Sequence, residues 1–340
     1  MGTKFIMERT GAGLFNCAFR STRDIANKGG YLFAWMMDAL MVGIGVGFDT
    51  LGAKTFSVKE PQWTNDTLLI EDSREGWVNS VHILLDGYIL GKKVPNFDYS
   101  AIRGKGEPIR GFGGTSSGPD PLIELHNNLK ALLEPKIGEQ IESVDIVDIE
   151  NLIGRCVVAG NVRRSAALAI GGYSDKDYLT MKNDQEKLYH HRWGSNNSFE
   201  AKVGMDYTWH AAQSAVNGEP GYIWLDNARN YGRMKDGKKT DDLKVMGFNP
   251  CVEQQLEDAE LCCLVETFPA KHDTYEDYVQ TLEIAYMYGK TVTLINTHWP
   301  ETNAIMLKNR RIGLSQSGVI QAFNKFGRRT MMNWCDDAYK

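Results

Sequence analysis

The stretch "FNPCVEQQLEDAELCCLVETF", Phe248–Phe268, holds three of the chain's six cysteines and surrounds them with carboxylates. Asn249-Pro250 is a turn signal, which places Cys251 on a loop tip with Glu253 two residues on. A carboxylate beside a thiol raises the thiol's pKa and makes it a poor thiolate. That chemistry argues against a nucleophile of the cysteine-protease kind. It suits a neutral S–H that gives up a hydrogen atom, with Glu253 as general base and Asn249 as hydrogen-bond partner. Beyond the loop, "ELCCLVETF" (260–268) reads as an apolar strand. In such a strand Cys262 and Cys263 face opposite sides, so only one of them can share a site with Cys251, and core packing is the plain reading of both.

Working outward, short strands alternate with helices. "GLFNCAFRST" (13–22), "RRSAALAIGGY" (163–173), "GEPGYIWLDNA" (218–228), "TVTLINTH" (291–298) and "RRIGLSQSG" (310–318) read as strands. "GGYLFAWMMDALMVG" (29–43) is apolar on most sides and predicts a buried helix. "SREGWVNSVHILLDGYIL" (73–90), with Ser73 as N-cap, "DPLIELHNNLKALLE" (120–134), with Pro121 in the first turn, "DIVDIENLIGRCVVAG" and "TYEDYVQTLEIAYMYG" (274–289) predict further helices. The pattern is α/β. Residues 56–96 break the rhythm and read as an insertion, which divides the chain into 1–55, 56–96 and 97–340.

Composition narrows the function classes. The chain has 340 residues, 42% hydrophobic and 24% charged, with a net charge of −5, so it can bury a core and carries no basic surface for nucleic acid or anionic membrane. No apolar run reaches the roughly 18 residues of a membrane span. The opening "MGTKFIMERTGAG" lacks a signal-peptide core, and Ile6 stands where myristoylation wants Ser or Thr. The expectation is a reducing cytoplasm, in which cysteines are buried, catalytic or metal-binding. No CxxC pair or zinc-type His spacing occurs, so no metal site is expected.

Two glycine-bearing basic loops stand out. "RGKGEPIRGFGGTSSGPDPLIEL" (103–125) carries Arg103 and Arg110 and runs into a helix start, where anions are favoured. It reads equally as a solvent-exposed loop. "AGNVRRSA" (159–166) carries Asn161, Arg163 and Arg164. Together they suggest a ligand with several phosphates. "GIGVGF" (43–48) resembles a dinucleotide fingerprint only in its glycines. It follows a helix and has GxGxG spacing, so tight packing is the expected role.

At this point the residues are familiar. "NPCVEQQLEDAELCCLVE" resembles the finger loop of ribonucleotide reductases, in particular the monomeric, adenosylcobalamin-dependent (class II) ribonucleoside-triphosphate reductases. "ERTGAGLFNCAFRST", "GFGGTSSGPDPL", "GNVRRSAALAI", "RWGSNNSFEA", "GEPGYIWLDNAR" and "KNRRIGLSQSG" agree in order. The resemblance implies a ten-stranded α/β barrel of two half-barrels, with the finger loop threaded between them. It implies that Cys251 becomes a thiyl radical after Co–C homolysis of adenosylcobalamin and takes the 3′ hydrogen of a ribonucleotide. Glu253 then takes the 3′-hydroxyl proton and Asn249 holds the ribose. Cys17 and Cys262 supply two reducing equivalents and end as a disulfide, with thioredoxin or a similar dithiol as reductant. Residues 56–96 and the two basic loops correspond to a dNTP effector site.

This chain holds the first half-barrel, the finger and the opening of the second half. The resemblance therefore implies an incomplete barrel, active as one piece of a split enzyme with a second polypeptide. The alternatives are an orphan or degenerate fragment that only binds effector, or a large-subunit-like part of an iron-dependent reductase.

Overall fold

The computed structural model describes residues 4, 6, 10–109, 114–159, 165–232, 237–238, 240 and 242–339. In chain order the strands are β1 (Cys17–Arg20), β2 (Gly45–Asp49), β3 (Gln62–Leu69), β4 (Lys93–Asp98), β5 (Ala167–Gly172), β6 (Ser195–Glu200), β7 (Gly221–Ile223), β8 (Gly247–Phe248), β9 (Gln255–Leu256), β10 (Leu261–Cys262), β11 (Leu264–Thr267) and β12 (Gly313–Gln316). The chain divides into two compact units: Cys17–Ala259, and Glu260–Lys340 together with the residues up to Asn16.

In the Cys17–Ala259 unit, β1, β2, β5, β6 and β7 lie side by side in that order, every pair parallel. Parallel strands covered on both faces read as continuous apolar runs. Every residue of β1 and β2 is buried accordingly. The apolar helix Tyr31–Met41 is buried at every position but its first. Helix Ser143–Val158 packs beside it and starts with a capping box, in which Glu142 and Asp145 satisfy each other's first-turn N–H groups. Arg20, fully buried at the end of β1, stacks over the Tyr31 and Trp35 rings at 5.6 and 5.2 Å.

Between β2 and β5, strands β3 and β4 pair in parallel around helix Arg74–Leu90. That helix begins where Ser73 Oγ accepts from Gly76 N at 3.0 Å and ends on Gly91 at φ +71°, the expected cap residues. Helix Asp120–Leu133 packs on this element through buried His126. Its Nε2 lies 3.1 Å from Ser80 Oγ and its Nδ1 2.7 Å from Tyr99 OH. Ser80 spends its proton on the Trp77 carbonyl. His126 therefore donates from Nε2 and accepts at Nδ1 from Tyr99.

In the second unit, β11 and β12 pair in parallel, and Tyr278, Leu282, Ala322 and Met331 form a core joined by Phe326 and Trp334. Three expectations need correction here and in the sheet. Residues 291–298 are not a strand: helix Tyr275–Val292 continues through 292, where the Thr293 N–H closes on the Gly289 carbonyl, and turns follow. The expected strand 218–228 is strand only over β7, after which Leu225–Tyr231 is helical. The single strand expected over 260–268 is two, β10 and β11, broken at Cys263. There the Cys263 thiol leaves the ladder and donates to the Gly289 carbonyl.

Candidate active site

The finger is a hairpin. β8 and β9 pair antiparallel, Gly247 with Leu256 and Phe248 with Gln255, and Asn249–Gln254 form the tip. Asn249 organises it. Its backbone N–H donates to the Gln254 carbonyl at 3.2 Å, and its carbonyl accepts from Val252 N at 2.9 Å. Its side-chain Oδ1 accepts from Gln254 N at 3.0 Å, and its Nδ2 donates to Glu253 Oε1 at 2.6 Å. Asn249 is fully buried while Cys251 and Glu253 are exposed. A buried amide thus fixes the direction of a carboxylate that stays open to a ligand. Val252, between thiol and carboxylate, has φ +66°.

Cys251 does not project into empty space. Its thiol is in hydrogen-bond contact with that of Cys17, the first residue of β1. Burial of part of the side chain comes first, then the nearby Cys17 and Glu253 charges and the Cys17 hydrogen bond; together they push the Cys251 thiol up to about 11. The sulfur is thus protonated at neutral pH, as its carboxylate neighbour led us to expect. All six cysteines are thiols.

The hairpin lies against the sheet because glycines leave it room. A Cβ on Gly47 of β2 would come within 1.8 Å of the Phe248 carbonyl oxygen. One on Gly247 would meet the Phe19 ring at 2.1 Å, and one on Gly45 would press Pro250 at 3.2 Å. Tight packing is therefore the role of Gly45 and Gly47 in "GIGVGF", while Gly43, at φ +92° with nothing within 4 Å of a Cβ, serves the turn before β2. The base of the hairpin is tied by Asp258, which accepts from Ser21 N at 2.7 Å and sits 3.8 Å from Arg20 Nε. Asp258 and Gly247 were not singled out by sequence reasoning, whereas Gly47 lies in the glycine run for which tight packing was expected. The sole signal was the glycine two places before Asn249.

The structure thus brings Asn249, Cys251, Glu253 and Cys17 together. Cys262 ends β10 in the other unit and is fully buried. Arg103 lies elsewhere. Its Nε donates to Asp72 at 2.7 Å and its Nη1 to the Pro108 carbonyl at 2.9 Å. It lines a cleft with Ser73, Arg74, Trp77, Ser116 and Met41. Arg110, Asn161, Arg163 and Arg164 lie outside the described residues.

Residues 50–133 match the family model of the B12-dependent ribonucleotide reductase insertion domain. Over 97% of its length the chain is 47% identical to a probable adenosylcobalamin-dependent ribonucleoside-triphosphate reductase of Dictyostelium discoideum, of which it covers 46%. The chain is therefore similar, along nearly its whole length, to part of the B12-dependent ribonucleotide reductases. An adenosylcobalamin-dependent ribonucleoside-triphosphate reductase of Euglena gracilis is likewise 47% identical, with 96% of this chain and 46% of the relative aligned. One of Lactobacillus leichmannii is 36% identical, over 99% of this chain and 53% of the relative. A crystal structure of a B12-dependent (class II) ribonucleotide reductase superimposes with a TM-score of 0.84 at 33% identity, covering 96% of this chain and 52% of that one. The chain spans about half the length of the curated relatives it matches. That extent agrees with the α/β fold expected as part of a larger barrel.

Proposed function

We propose that this chain carries the thiol chemistry of an adenosylcobalamin-dependent ribonucleoside-triphosphate reductase, with the other half of the relatives' length supplying the remainder of the enzyme. The observation that carries this reading is the finger tip: a protonated Cys251 in contact with Cys17, beside a Glu253 oriented by Asn249. An exposed S–H that resists ionisation suits hydrogen-atom transfer and disfavours nucleophilic attack. Such a donor fits adenosylcobalamin, which when bound supplies a carbon-centred radical able to take that hydrogen.

Cys251 then exchanges a hydrogen atom with C3′ of the ribose. Glu253 accepts the 3′-hydroxyl proton while Asn249 Nδ2 holds the carboxylate in place. The 2′-hydroxyl leaves as water. Two electrons and two protons come from a pair of thiols, Cys17 and Cys262, which close to a disulfide and are reopened by an external dithiol such as thioredoxin. The Arg103 cleft, with residues 56–96 and the loop residues Arg110, Asn161, Arg163 and Arg164, is the proposed dNTP effector site. Trp77 and Met41 offer an apolar floor there, and Ser73, Ser116, Arg74 and Arg103 offer polar groups.

The test is reduction of a ribonucleoside triphosphate with adenosylcobalamin and dithiothreitol, in the enzyme completed by the second half. Cys251→Ala and Glu253→Ala should each lower turnover at least about a thousandfold, since each removes a group that the chemical step itself uses. Both should leave dNTP binding unchanged. Normal turnover by Cys251→Ala would end the thiyl reading.

A further inference from the structure

We propose that Gly47 and Gly247 are positioning residues, kept free of side chains so that the finger hairpin can lie on the sheet and set Cys251 against Cys17. The inference rests on Cys251 being the reacting thiol and goes beyond it to what places that thiol.

Three observations carry it. First, the contacts are main chain to main chain or main chain to ring. The Phe248 carbonyl oxygen occupies the place of a Gly47 Cβ, with the Phe248 carbonyl carbon at 3.0 Å and Phe19 Cδ2 at 3.3 Å. On the hairpin side, three Phe19 ring atoms lie within 2.7 Å of a Gly247 Cβ. Second, neither glycine is among those with positive φ, so space is what the position demands, not a left-handed backbone. Third, the contacts fall where they govern the thiol. Gly47 pairs with Phe19 across the β1–β2 ladder, two residues along from Cys17, and Phe248 is the last strand residue before the tip that carries Cys251. Lifting Phe248 by even one ångström moves the Cys251 thiol away from Cys17. By contrast, a Cβ on Gly172, at the end of β5, meets nothing within 4 Å.

The experiment is alkylation of the chain by iodoacetamide across a pH series, with each cysteine followed by mass spectrometry. A seated Cys251 is held protonated by its surroundings and labels slowly for an exposed thiol. Gly47→Ala should speed Cys251 labelling at pH 8 at least about tenfold, the equivalent of one unit of thiol pKa. Buried Cys156 and Cys263 should stay protected, and Gly172→Ala should behave as the parent chain does. Parent-like Cys251 labelling in a folded Gly47→Ala overturns the proposal. If Cys156 and Cys263 become labelled and the fold is lost, Gly247→Ala decides, alone and combined with Phe19→Leu, which removes the far ring atoms. Faster labelling by the single variant and a return to within about twofold in the double supports the seat; no change in the single, or no return in the double, refutes it. Labelling needs no turnover, so the seat and the reductase reading can fail separately: the first by labelling, the second by the activity of Cys251→Ala.

Discussion

Val252 stands between the thiol and the carboxylate at φ +66°, a region that costs a β-branched residue about 1–2 kcal/mol. The tip keeps that cost because Val252 N must reach the Asn249 carbonyl to close the turn, and closing it points residues 251 and 253 outward. Val252→Gly should therefore raise stability by about 1 kcal/mol in urea unfolding, and an unchanged or lower midpoint would show that the tip is unstrained. The residue types here were legible before any coordinates. Asn-Pro forecasts the turn, and Glu253 beside Cys251 forecasts a protonated thiol. The Asn249–Glu253 hydrogen bond was not legible, because sequence had assigned Asn249 to a ligand instead of to its own loop. Nor was the Cys251–Cys17 contact, which joins residues far apart in the chain; the family likeness named Cys17 only as the partner of Cys262. For Cys262 and Cys263 the opposite-face argument assumed one unbroken strand, and the break at Cys263 removes its premise while leaving both thiols buried.

Among the elements, the long periodic helices were the readable part. Ser73 and Pro121 mark their starts where caps are expected. Strands were read well where β-branched or apolar runs ended in glycine and poorly at 291–298, whose Thr-Val-Thr suggests strand while the helix before it runs on. The His126 relay gave no sequence signal, since its partners Ser80 and Tyr99 come from two other elements. Burial, followed by the charge of Lys130, lowers His126 to about 3. A base lowered in the fold binds its proton more readily when unfolded. Its contribution is complete above the ordinary value near 6.5 and is lost as pH falls from there toward 3. Between pH 6.5 and 4.5 the loss is about 2 kcal/mol. His126→Gln should flatten that slope in denaturant titrations at the two pH values. An equal slope in parent and variant would assign the acid sensitivity elsewhere.

For the whole molecule, the half-length match to curated relatives sets the expectation. The chain alone should form no deoxynucleotide, and a mixture with a polypeptide covering the relatives' other half should form it in the presence of adenosylcobalamin and a dithiol. Product from the chain by itself would show that the finger and its sheet suffice. No helix among the described residues is long and apolar enough to cross a membrane. The parallel strands of the Cys17–Ala259 unit follow one another across the sheet in the order in which they occur in the chain. Such an order lets each new strand dock on the last as the ribosome releases it. Cys17 is translated first in this series and Cys251 near its end, and at 5–20 residues per second roughly 10–50 s separate them. Throughout that interval the nascent β1 thiol waits for the hairpin that will cover it. The newborn chain, more than the folded protein with its buried Cys17, is therefore the form in which that thiol is open to capture by glutathione or peroxide.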